Sequence, residues 1–183
     1  MFTGSFNASL FYLLGATFAI LSLVIVYWQS QYYHHEPPFP HAYISKVCQH
    51  YPEYLVFRLS TVSGAVLIIL GWFTNHFVLR TICVENGVNF NKYRPGIPLV
   101  FGIMGGLCLT GNTASIDTGN MDEQLHEFCA RNFFIWTLIA QIYNIYICAD
   151  LSKRTKAISK TNLIVKYLIL LAIILQVLDS TTA

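Results

Sequence analysis

The sequence predicts an all-α integral membrane protein, a helical bundle of five transmembrane spans with its N-terminus in the cytosol. Three observations carry that reading. Five apolar runs approach or exceed the length needed to cross ~30 Å of hydrocarbon. Charged residues make up only 11% of the chain and hydrophobic ones 55%, against roughly 25% charged in a soluble domain. The basic residues gather in alternate connections. A chain of 183 residues has room for one domain but too small an interior to hide this much apolar surface from water, so the bilayer is its expected solvent.

The first run, 9–28, is twenty residues without a charge and closes on Tyr27 and Trp28, side chains that favour the headgroup level. No basic residue precedes it and no small-residue cleavage site follows at 27–30, so it is expected to be retained rather than cleaved as a signal. Residues 29–53 form a polar connection with His34, His35, Glu36 and the prolines Pro37, Pro38, Pro40 and Pro52. The second span, 54–79, has Arg58 near one end and His76 near the other, where both can reach an interface. A short basic connection leads to the third run, 95–111. Here the Gly102/Gly106 spacing leaves two bare patches on one helix face for close packing against a neighbour. An acidic, polar connection follows over 112–132. The fourth span, 133–150, carries Gln141 and Asn144, which are expected to hydrogen-bond to another helix. Residues 151–161 are basic, and 162–178 form the fifth span. There is no internal repeat, and the chain is treated as one transmembrane domain over 1–183.

Orientation follows from charge. One set of connections and span ends holds eight basic and two acidic residues. The other holds three basic and seven acidic residues, a net of +6 against −4. The positive-inside rule places the first set, with the N-terminus, in the cytosol. Loops 29–53 and 112–132 then face the lumen or exterior. The sequon Asn7-Ala-Ser9 falls on the cytosolic side and is not expected to carry a glycan.

The stretch 40–58 organises the lumenal side. Neither Pro40 nor Pro52 can continue a helix from upstream. The chain should run extended, turn at Tyr51-Pro52 and enter the second span with Pro52 near the first helical position and Glu53 in the first turn, both suited to a helix N-terminus. Tyr43-Ile44-Ser45, then Pro52-Glu53 and Phe57, resembles the PYIS…PPE…F signature in the first lumenal loop of one membrane family. That family comprises the DRAM autophagy modulators, the post-GPI-attachment remodelling factors related to the N-terminal part of CWH-type proteins, and the SFK-type anchors of a phosphoinositide kinase. Leu125-His126 with Cys129-Ala130 and Phe133-Phe134 is similar to the family's His–Ala–aromatic approach to the fourth span. The sequence departs from the pattern in having Ala42 before Tyr43, with Pro40 displaced, and a single Pro52 for a Pro-Pro pair. The family is normally six-span, and five spans are found here.

The resemblance implies a family signature at Pro40, Tyr43, Ile44, Ser45, Pro52, Glu53 and Phe57. The residues themselves point to a lumenal polar cluster of Arg58, His126, Asp122 and Glu123. Arginine at membrane depth needs acceptors, and on a helix Asp122 and Glu123 would share a face with His126. The lumenal histidines His34, His35, His41, His50 and His126 are read first as solvated loop residues. Cys48 and Cys129, the two lumenal cysteines, are a candidate disulfide if the lumen is oxidising; Cys83 and Cys148 lie towards the cytosol. No catalytic residue, metal site or cofactor is assigned. Nucleophile-elbow, P-loop and HExxH patterns are lacking, and so are acidic residues deep in the spans, which argues against ion-coupled transport. The expected partners are membrane lipids, anionic phospholipid on the basic cytosolic loops, and a membrane or cytosolic protein, with no nucleic acid. The resemblance implies a non-enzymatic multi-pass regulator or adaptor in trafficking, autophagy or lipid homeostasis. Its alternatives are a GPI-anchor lipid remodelling factor acting on lumenal headgroups and a membrane anchor for a phosphoinositide kinase. Each would sit in the endomembrane system: endoplasmic reticulum, Golgi, lysosome or plasma membrane.

Overall fold

A computed structural model describes residues 4–34, 47–117, 120–155 and 157–182. Five long helices account for nearly all of them: α1 Gly4–His34, α2 Glu53–Glu85, α3 Gly96–Ala114, α4 Glu123–Thr155 and α5 Lys160–Thr182. Among the described residues, four stretches are long and apolar enough to cross a bilayer: Leu13–His34, Glu53–Glu85, Gly96–Ala114 and Glu123–Thr155. The fifth helix coincides with the last expected span and has 23 residues. A helical membrane bundle is therefore what the sequence builds.

The helices outrun the expected spans. At 33 residues each, α2 and α4 are about 50 Å long, well beyond the hydrocarbon layer. The extra turns of α4 lie over 123–132, expected as loop. They are helical because Asp122 starts the helix: its Oδ1 accepts from the Leu125 backbone N–H at 3.0 Å, satisfying a donor that would otherwise lack a partner. The α3–α4 connection contains a two-residue antiparallel pair, which leaves the bundle all-helical. It joins β1, Ile116–Asp117, to β2, Asn120–Met121, with Ile116 opposite Met121.

The main packing is sequential: α1 on α2, α2 on α3, α3 on α4 and α4 on α5. Glycines permit the close approaches. Gly15 and Gly64 bring α1 and α2 together, each Cα facing the other's carbonyl. On α3, Gly102 lies under the Trp72 indole and Gly106 against Ile69, both on α2, whereas Gly105 faces Thr137 of α4. The Gly102/Gly106 face read from the sequence is thus a packing surface towards α2, and Gly105 adds a close approach to α4 on another side. Between α2 and α4, Asn75 Nδ2 donates to Asn144 Oδ1 at 3.1 Å, and Asn144 Nδ2 donates to Gln141 Oε1 at 3.4 Å, as expected for polar groups inside a bundle.

The two ends of the bundle differ. At the end bearing the basic connections, Leu79, Cys83, Tyr93, Ile147, Cys148, Leu151 and Ile158 form a buried apolar cluster. Tyr93 OH donates to Asp150 Oδ2 at 2.7 Å, and Arg154 Nε donates to the same oxygen at 2.8 Å. Burial and the bond to Asp150 push the Tyr93 phenol up to about 12. At the opposite end a smaller cluster of Val26, Val47, Cys48 and Ile116, flanked by Tyr27, Val56 and Phe57, seats the β1–β2 hairpin against α1 and α2. The polar groups described next surround it.

Candidate functional site

Pro52 caps α2, and Glu53 opens it, as the sequence predicts. One turn further on, the adjacent side chains Phe57 and Arg58 reach the hairpin. Phe57 packs beside Ile116 in the small apolar cluster. Arg58 extends its guanidinium past the Tyr54 ring, 5.7 Å from the centroid, and Nη2 donates to the Ile116 carbonyl at 2.8 Å. Arg58 therefore ties the second span to the α3–α4 connection, as its need for an acceptor requires.

His126, in the first turn of α4, closes the same connection from the other side. Its Nδ1 lies 3.2 Å from Ser115 Oγ and 3.3 Å from the Asn112 carbonyl. Ser115 Oγ donates its one proton to that carbonyl at 2.6 Å. The imidazole Nδ1 must then carry the proton and donate, because neither oxygen has a hydrogen left to give it. In the neutral ring this leaves Nε2 as an acceptor. In that tautomer the nitrogen facing Ser115 has no lone pair to take its proton. Ser115 and Ile116 are adjacent, so Arg58 and His126 hold one short segment.

Two expected members of the cluster are used differently. Asp122 serves the backbone: its side chain caps α4, and its N–H donates to Ser115 O at 3.0 Å. Glu123 is exposed. No described hydrogen bond or ion pair joins either carboxylate to the His126 ring. The capping geometry turns Asp122 onto the N–H of Leu125, a shorter reach than the imidazole one turn further on.

The carboxylate that the cluster reading overlooked is Glu53. It is fully buried, and the His34 Nε2 approaches Glu53 Oε2 at 3.4 Å. His34 is the last residue of α1 rather than a loop residue, and its ring lies 4.7 Å from that of His50. The signal for this was Glu53's place beside Pro52 in the signature motif, read as a helix-start preference when the fold buries it. Cys48 lies beside it: burial, and then the Glu53 charge, push its thiol up to about 12.

The expected Cys48–Cys129 disulfide is not formed. Both are free thiols. Cys48 belongs to the apolar cluster with Val26 and Ile116, while Cys129 packs against Gly111 of α3. Pro40, Tyr43, Ile44 and Ser45 of the signature lie outside the described residues, as do His35, His41 and Lys46.

Buried polar atoms are distributed unevenly. Among the described residues, the buried side-chain N and O atoms without a hydrogen-bond partner are Gln29 Oε1, Ser30 Oγ, both Glu53 oxygens, Arg58 Nε and Asn112 Oδ1. All belong to the last turns of α1, the first turns of α2 or the last turn of α3, the same end as Ile116 and His126. No group of three or more His, Cys, Asp or Glu side chains suited to a metal ion occurs among the described residues.

Apolar helices of bilayer length, packed in sequence through glycine and polar contacts, with a cluster of buried polar and hydrogen-bonded groups at one end, define a multi-pass helical membrane protein. The family model of the Frag1/DRAM/Sfk1/Cwh43P N-terminal domain matches residues 7–178, almost the whole chain, and the protein belongs to that family. Comparison with curated proteins and with solved structures found no match.

Proposed function

We propose that this protein is a non-enzymatic multi-pass regulator of lipid homeostasis in the endomembrane system, working through lipid headgroups at the polar end of the bundle that carries His34, Glu53, Arg58 and His126. The observation that carries the proposal is the gathering, at that one end of the bundle, of buried polar atoms that make no hydrogen bond, Glu53 having only the 3.4 Å approach of His34. A buried polar group without a partner costs about 1–3 kcal/mol, and several together at one site are better explained by binding than by stability. The set mixes acceptors on Gln29, Glu53 and Asn112 with the Arg58 guanidinium, which suits a headgroup carrying phosphate together with hydroxyl or amine donors. The Nδ1-protonated His126 and the Ser115 hydroxyl committed to Asn112 favour a binding role over nucleophilic chemistry. Orientation by the positive-inside rule places this end in the lumen.

The family's remodelling branch supplies a second reading, in which the same polar end handles the headgroup of a GPI anchor; Arg58 and His126, both bonded to the 112–116 segment, favour it. Deletion in the source cell separates the two. Altered lipid composition of surface GPI-anchored proteins, restored by the wild type but not by Arg58→Gln with His126→Ala, supports remodelling. A shift in bulk lipids or autophagic flux with unchanged GPI lipids supports the regulator. Full rescue of every phenotype by the double variant would remove this polar end from the function altogether.

A further inference from the structure

At the opposite end, α2 and the connection after it line an open cleft of about 410 Å³, with His76, Arg80, Val84, Asn89, Phe90, Asn91 and Pro95 along its walls. His76, Arg80 and Val84 are four residues apart and form one stripe of α2. The facing wall is a 3-10 turn, Phe90–Tyr93, and it is held firmly. Val88 N–H donates to Cys83 O at 2.8 Å, Arg94 N–H to Asn91 O at 3.1 Å and Ile97 N–H to Arg94 O at 3.0 Å. Val88, Phe90 and Tyr93 are anchored in the apolar cluster. Arg94 adopts φ 47°, a left-handed conformation uncommon for a side chain of its size, which turns the chain back into α3.

The lining has a definite chemistry. Arg80 is exposed and has no hydrogen-bond or ion-pair partner among the described residues. His76 Nδ1 lies 3.2 Å from Pro95 O. A carbonyl can only accept, so Nδ1 carries the proton and Nε2 is an acceptor in the neutral ring. Asn89 Oδ1 accepts from the Asn91 N–H at 3.1 Å, which leaves the Asn89 amide as a donor. Guanidinium, amides and imidazole acceptor are thus present, and no carboxylate lines the cleft.

Depth decides what such a cleft meets. Arg80 is five residues from the end of α2, about 7–8 Å along the axis. A helix of ~50 Å overhangs a ~30 Å hydrocarbon layer by roughly 10 Å at each end, so Arg80 lies at headgroup level. A cationic site at the cytosolic headgroup level is suited to phosphoinositide-type headgroups, and here the cation is Arg80 on α2.

We propose that this cleft binds a phosphorylated polyol, the headgroup chemistry of a phosphoinositide in the cytosolic leaflet. The Arg80 fork takes the phosphate, while Asn89, Asn91 and His76 take ring hydroxyls. A phosphatidylserine headgroup is a poorer fit because its ammonium finds no carboxylate in the lining. This site is independent of the lumenal polar end and stands or falls without it.

The test uses the full chain in phosphatidylcholine nanodiscs, titrated with a fluorescent short-chain phosphatidylinositol phosphate and, in parallel, with a phosphatidylserine probe. The phosphoinositide should bind saturably and more tightly than phosphatidylserine. Arg80→Gln should weaken it about ten- to a hundredfold, and Arg80→Lys by less. Lys153→Gln, an equal charge loss on the same side but outside the cleft, should leave the preference intact. Competition by soluble inositol phosphate at matching concentration would assign the site to a free polyol phosphate, and its failure to compete would assign it to the lipid; either result keeps the chemistry. Equal binding of both lipid probes, or equal losses in Arg80→Gln and Lys153→Gln, would reduce the effect to diffuse charge attraction and overturn the proposal.

Discussion

Arg58→Met isolates the tie between the second span and the α3–α4 connection. The substitution keeps a long apolar stem but deletes the donor that reaches Ile116 O at 2.8 Å. A hydrogen bond from a charged donor contributes about 1.5–3 kcal/mol. The local opening energy of 115–122 should fall by that amount, raising amide exchange there about 10- to 150-fold. Global stability should respond much less. Arginine near the end of a span carries part of the ~2.5 kcal/mol or more that it costs at the centre. Its Nε is buried without a partner, a further penalty of about 1–3 kcal/mol. Removing the side chain returns both terms, so they offset the lost bond. Hydrogen–deuterium exchange on protein in nanodiscs, read beside a thermal unfolding midpoint, distinguishes local from global effects. Arg58→Lys should fall between wild type and Met, because it retains charge without the planar fork. Unchanged exchange over 115–122 in Arg58→Met, or a loss spread evenly over the bundle, would refute the tie.

Three further outcomes are expected. Gly102→Ala should destabilise the bundle by about 1–3 kcal/mol, since its Cβ would meet the buried Trp72 indole and overpacking outweighs the ~1 kcal/mol helix-propensity gain; Gly96→Ala, with nothing within 4 Å, should be neutral or stabilising in the same unfolding assay. Cys48, with its thiol pushed from 9.0 to about 12, should resist alkylation in the folded protein at pH 8. Because the folded form holds this proton longer than the unfolded chain, its contribution is full below pH ~9 and is lost as pH rises towards ~12; a pH series of unfolding midpoints would detect a decline that is smaller in Cys48→Ala, where the Tyr93 phenol still contributes above pH ~10. A tag at the N-terminus should be protected from protease in sealed vesicles that expose 112–132; digestion of both from one side would reverse the orientation.

What the sequence determined by itself is the fold class, the order of the helices and the chemical contrast between the two ends. These rest on local quantities: run length, residue composition and the sign of charge along the chain. The small-residue face at Gly102 and Gly106 and the polar pair Gln141 and Asn144 were legible too, since a bare patch or an amide in an apolar span has few uses other than packing. The need of Arg58 for an acceptor was also readable, but not the acceptor, a backbone carbonyl that no residue type advertises. Tertiary structure decided the rest. Asp122 became a cap because α4 starts ten residues before its apolar core, and Glu53 became the buried carboxylate because α1 runs on to His34 and meets it. Cys48 and Cys129 fell into different packing environments, since a shared side of the membrane fixes neither distance nor direction. The Arg80 cleft likewise required the turn at 89–95 to fold back on α2. Such pairings depend on which surfaces meet, and helices that are apolar on all sides leave that choice to packing rather than to periodicity.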